Sequence, residues 1–162
     1  MSALTRFLSR SGPERLLLLR VAALQCAIRL ALRLLPFRRV IAAVNRLSNT
    51  RIHGRARTRF TPEQLACAVS TTSGRLFRDA PCLTQALAVK VLYGRRGLPA
   101  SVRIGVRRLP ESGFQAHAWV ESGGCVVVGL LEDLSTFEAL PDLGSWSPPR
   151  KPWKRRSGVT SC

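Results

Sequence analysis

Hydrophobic periodicity changes once along this chain, and the change sets the class of fold. Up to Gly97 apolar residues recur at helical spacing; from Val102 onward they alternate with a period of two. Thr61-Pro62-Glu63-Gln64 is a capping box with proline at the first helical position, followed by Leu65, Ala68, Val69, Thr72 and Leu76 at helical spacing. Asp79-Ala80-Pro81 interrupts it. A second helix begins near Cys82, runs through Leu83, Ala86, Leu87 and Leu92, and ends at Gly94 or Gly97. Then Val102, Ile104 and Val106 alternate with Ser101, Arg103 and Gly105, and Ala116, Ala118 and Val120 alternate with Gln115, His117, Trp119 and Glu121. Ser122-Gly123-Gly124 reads as a turn, and the run from Cys125 to Val128 as a buried strand. Helices followed by a small antiparallel sheet make an α+β order.

With 162 residues there is room for one core. Three stretches differ in character: a helical N-terminal region with a basic linker (1–59), the regular core (60–142), and a basic Pro-rich tail (143–162) expected to be disordered. The run from Leu16 to Leu35 is strongly apolar, but Arg20, Arg29 and Arg33 interrupt it. Each such charge at a helix centre costs about 2.5–3.5 kcal/mol in a bilayer, which disfavours a spanning helix. No signal peptide is evident, because the clean apolar stretch Leu16–Leu19 is too short. What remains is an amphipathic helix with Leu16, Leu19, Ala23, Ala27, Leu30 and Leu34 on one stripe, expected to pack on the core or on a partner rather than on lipid. A second helix follows the break at Pro36, through Val40, Ile41, Val44 and Leu47.

Lys plus Arg number 26 against 9 Asp plus Glu, a formal charge of +17. This excludes an acidic solvating protein and makes an anionic partner worth testing. A nucleic-acid-binding module is the competing reading. Against it, the cations cluster in Arg51–Arg59 and Arg150–Arg156, linker and tail, with no helix-turn-helix or RNA-recognition pattern. Five cysteines (Cys26, Cys67, Cys82, Cys125, Cys162) and two histidines (His53, His117) show no metal-ligand spacing, so neither a metal nor a cofactor is expected. The odd cysteine count without a disulfide framework fits a reducing cytoplasm.

One pair stands out chemically. Cys82 opens a predicted helix, where unpaired N–H groups and the helix dipole favour a thiolate. His117 lies on a strand and, by alternation, faces away from Ala116 and Ala118. A helix-borne Cys and a strand-borne His is the arrangement of papain-like and transglutaminase-like enzymes. The bland alternative is a small buried cysteine and an ordinary imidazole.

The local text is more specific. Cys82-Leu83 leads a helix to Gly94-Arg95-Arg96-Gly97; then come Arg103-Ile104-Gly105-Val106 and Ala116-His117-Ala118-Trp119-Val120-Glu121, ahead of Gly123-Gly124. These blocks resemble the transglutaminase-like cysteine-protease half of the lasso-peptide biosynthesis B protein, in its split form. The resemblance runs from about residue 16 to 140 and includes the ending Leu34-Leu35-Pro36-Phe37-Arg38-Arg39 of the first helix. It implies a transglutaminase-like, papain-like fold and a leader peptidase with Cys82 as nucleophile and His117 as base. It also implies partners: the leader region of a precursor peptide, a leader-binding recognition-element protein, and an ATP-dependent macrolactam synthetase that acts afterwards. An Asp orienting the imidazole completes the family pattern. If Glu121 pairs with Cys125, the residue opposite His117 is Gly129, and the nearest acids are Glu132 and Asp133. Asp133 is the choice here, with Glu132 next and Glu121 third, although Asp133 also reads as a cap ahead of Leu134. Trp119, on the His117 face, walls the cleft or simply packs.

Overall fold

The computed structural model describes residues 11–50, 60–77, 82–109 and 113–140. The basic linker at 51–59, the Asp79-Ala80-Pro81 break and the tail from 143 lie outside the described residues. Among the described residues four helices precede the sheet: α1 (Gly12–Leu34), α2 (Phe37–Asn49), α3 (Pro62–Leu76) and α4 (Cys82–Gly94). The capping box that starts α3 is present, with the Gln64 amide donating to Thr61 Oγ1 (3.3 Å) and the Thr61 amide donating to Gln64 Oε1 (2.8 Å). Helix α4 is apolar around nearly its whole circumference and is correspondingly central: Ala86, Leu87, Ala88, Val89, Val91 and Tyr93 are all buried. Its C-terminal end is pinned twice, by Tyr93 Oη donating to Pro62 O (2.9 Å) and by Gly94, where a Cβ would lie 2.6 Å from Ser48 Cβ on α2.

Helix α1 corrects the expected core-packing face. Leu16, Leu19, Ala23, Ala27, Leu30 and Leu34 are exposed, while Leu18, Val21, Gln25 and Ile28 on the other side are buried. The helix carries two apolar stripes, and the buried one includes a glutamine. Half of the Gln25 amide is satisfied there: Nε2 donates to Val69 O (2.8 Å) and Thr72 Oγ1 (2.9 Å) on α3, while the buried Oε1 has no partner among the described residues. Leu18, Val21 and Ile28 of α1, with Val40 and Val44 of α2, join Leu65 and Val69 of α3, the α4 side chains, and Val102, Ala118, Val120 and Val128 of the sheet in one continuous core.

Strands β1 (Ser101–Leu109), β2 (Gly113–Ser122), β3 (Cys125–Val128) and β4 (Glu138–Ala139) form a sheet in the order β3-β2-β1-β4, with every pairing antiparallel. The two-residue β4 and the 3-10 turn Leu134–Thr136 before it carry no periodicity long enough to read from sequence. The β2–β3 turn is tighter than the sequence suggested. Gly123 (φ +60°) and Gly124 (φ +86°) alone make it, as a two-residue hairpin with positive φ at both positions requires. Ser122 therefore pairs with Cys125 and Glu121 with Val126, and a bulge then brings Val120 opposite Val128.

A candidate active site on the outer face of the sheet

Alternation along β2 sends Ala118 and Val120 into the main core and leaves His117, Trp119 and Glu121 on the opposite face. There Trp119, Leu134 and Phe137 form a second, smaller buried cluster. Trp119 is 5% exposed, so it is packed into this cluster, and its Nε1 donates to Glu121 Oε1 (3.0 Å). The tryptophan ring lies over Gly105, which pairs with His117 across β1: a Cβ at Gly105 would sit 2.8 Å from the ring and 2.9 Å from Phe137 Cβ.

His117 is held on three sides. Its ring stacks on Trp119 (centroids 6.3 Å apart, planes 14° apart) and meets Phe137 at 5.7 Å and 52°. Its Nε2 lies 2.7 Å from the main-chain oxygen of Gly129. Register counted from the glycine turn puts Gly129 opposite His117, but nothing in the sequence marks its carbonyl as the partner or Phe137 as a wall.

The acids take other partners. Asp133, chosen from the family pattern to hold the imidazole, makes its ion pair with Arg107 instead and has no hydrogen bond to His117. Arg107 projects from β1 on the same face. It donates to Gln115 Oε1 (2.7 Å) and Thr136 Oγ1 (3.2 Å), and its guanidinium lies 4.6 Å over the Phe137 ring. The hydrogen bond from Arg107, then its charge and that of nearby His117, hold the Asp133 carboxyl below the usual carboxylate range. Glu121, shared by Trp119 and Arg103 (3.3 Å), is likewise occupied, and Glu132 is exposed.

Cys82 is the first residue of α4, a half-buried free thiol packed against the main core. No hydrogen bond joins it to His117. Cys82 packs against the main core on the α4 side of the sheet, whereas the His117 ring belongs to the outer-face cluster, so the structure does not bring thiol and imidazole into hydrogen-bonding contact. Cys26 and Cys67 are exposed free thiols on α1 and α3. Among the described residues no group of three or more His, Cys, Asp or Glu side chains is placed to hold a metal, and no helix is long and apolar enough to cross a membrane.

The helix-then-sheet order, the helix-leading Cys82 and the strand-borne His117 all fall inside residues 22–141, which match the family model of the transglutaminase-like superfamily. The chain belongs to that superfamily. No curated protein matches it, and no solved structure does. The transglutaminase-like domain thus begins within α1 and takes in the rest of that helix, α2, α3, α4 and strands β1 to β4. Members of the superfamily are in general cysteine peptidases or transglutaminases, both of which work through a thiol that attacks an acyl carbon.

Proposed function

We propose that this transglutaminase-like protein is a cysteine leader peptidase that cuts one peptide bond between the leader and the core of a ribosomally made lasso precursor. The observation that carries the reading is a thiol at the first position of the central helix of a transglutaminase-like domain, with His117 on the neighbouring strand. Cys82 attacks the scissile carbonyl carbon and the thiol proton passes to His117. The oxyanion meets the first N–H groups of α4, which have no partner within the helix; each such donor is worth roughly 2.7–4 kcal/mol. His117 then protonates the departing amine, freeing the core with a new N-terminus. Water, deprotonated by the same imidazole, hydrolyses the thioester and releases the leader as a carboxylate. The exposed α-amine is the nucleophile a macrolactam synthetase requires next.

The precursor peptide incubated with this chain and a leader-binding protein is expected to yield two fragments whose masses sum to that of the precursor plus one water. An intact peptide carrying an added amine would instead make the chain an acyltransferase.

The leader-binding partner fits the exposed stripe of α1. Leu16, Leu19, Ala23, Leu30 and Leu34 lie open to solvent, flanked by exposed Arg20 and Arg33. So narrow an apolar seam suits one helix. Its basic flanks, on a chain of charge +17, oppose a second copy and favour an acidic amphipathic helix. The double substitution Leu19→Asp with Leu30→Asp is expected to abolish complex formation in a pull-down with unchanged circular dichroism; binding that persists moves the partner elsewhere.

A further inference from the structure

We infer that the main-chain carbonyl of Gly129, rather than any carboxylate, is the group that fixes the tautomer and orientation of His117. The inference rests on the peptidase reading only for its catalytic consequence. A carbonyl oxygen can only accept, so at 2.7 Å it requires the proton on Nε2 and leaves the lone pair on Nδ1. Nδ1 is then the atom available to take a proton from a thiol. Trp119 and Phe137 restrict ring rotation, so the hydrogen bond and the two aromatic neighbours together define a single orientation.

The position accepts nothing but glycine. Gly129 has φ +82°, and a Cβ there would lie 2.7 Å from Ala118 O and 3.0 Å from Trp119 Cα. The first of these contacts is with backbone that the sheet holds in place. An aspartate at residue 129 would therefore have to displace β2, and the carboxylates nearest the ring already serve Arg107, Arg103 and the Trp119 indole. The close approach of this glycine to β2 accompanies the carbonyl's approach to the imidazole. Gly129 is a positioning residue: it acts through His117 and touches no reacting atom.

The test is spectroscopic and needs no substrate. With only two histidines in the chain, His53→Gln leaves the His117 ring as the sole imidazole signal in nitrogen-15 NMR. The expected result is a ring wholly in the Nε2–H form, with a slowly exchanging Nε2 proton. Gly129→Ala should shift the ring towards the tautomer mixture of free imidazole and remove the slow proton. Because that variant carries a steric cost, a second one keeps the fold. Residues 125–162, made synthetically and ligated at Cys125, can carry an ester in place of the Gly129–Leu130 amide, which weakens this one acceptor without adding an atom to the strand. The same loss of the slow proton is expected. An Nδ1–H ring in the unmodified chain, or an ester variant with an unchanged Nε2 proton, overturns the inference. On the precursor, the ester variant should lose roughly 10–100-fold in kcat with KM unchanged, the range seen for partners that orient metal-bound histidines. An unmodified chain that shows the fixed tautomer and never cleaves would refute the peptidase reading alone.

Discussion

Replacing Cys82 by alanine is expected to lower leader cleavage by on the order of 10⁴-fold or more while leaving the fold intact, since no other group in the proposed mechanism can form the acyl intermediate. Alanine suits the first turn of a helix at least as well as cysteine does, and the Cys82 side chain is only half-buried at the margin of the core. His117→Ala should cost a comparable factor, and here stability must be checked as well. That substitution removes a hydrogen bond to Gly129 and two aromatic contacts, so His117→Gln is the fairer comparison. Circular dichroism and urea unfolding separate lost chemistry from lost structure. The nucleophile can also be tested without a precursor, by peptide mapping after iodoacetamide treatment near pH 6. Cys82 should be labelled faster than Cys26 and Cys67, both of which are more exposed. Faster labelling in spite of poorer access is the signature of an activated thiol. A Cys82→Ala protein that still cleaves removes the peptidase reading outright.

Trp119→Ala is expected to be the most destabilising single change on the outer face of the sheet, at about 3–5 kcal/mol. The side chain is 5% exposed, fills the space above Gly105, and stacks against His117 within the cluster it forms with Leu134 and Phe137. Its loss leaves a cavity above Gly105, which has no side chain, and Phe137 is held back by a 3-10 turn that Arg107 ties to β1 through Asp133 and Thr136. It also frees the Glu121 carboxylate from one of its two donors. For a domain of this size that corresponds to a fall in Tm of roughly 6–20 °C. Since stabilities of 5–15 kcal/mol are typical, such a change approaches the threshold for folding. Thermal unfolding of Trp119→Ala beside Trp119→Phe measures it. A cost below about 1 kcal/mol would mean that the second cluster is surface packing and that His117 is not rigidly walled.

The His117 and Trp119 substitutions probe the outer face, which was the least legible part of the chain. Trp119 was visible as a neighbour of His117 because strand alternation is a rule of the backbone alone. Arg107 and Phe137 were not, because nothing in a linear pattern says that a segment ten or more residues beyond β3 folds back onto β1. The partner of Asp133 was illegible for the same reason. Asp133 comes close enough to His117 for their charges to interact, yet Arg107 offers it a charged donor and takes the hydrogen bond.

Local physics therefore settled a definite share of this protein. Helix starts, a glycine turn between β2 and β3, strand alternation, the α+β order and the placement of Cys82 and His117 on a helix start and a strand all follow from interactions between near neighbours in sequence. Tertiary packing decided the rest. Helix α1 had two apolar stripes, and only packing against α3 and α4 decided which one is buried, with Gln25 Nε2 donating to Val69 O and Thr72 Oγ1 on that side. The bulge between β2 and β3 and the left-handed turn at Gly129 likewise fixed what His117 touches, because a shift of one residue in register changes every partner across a strand.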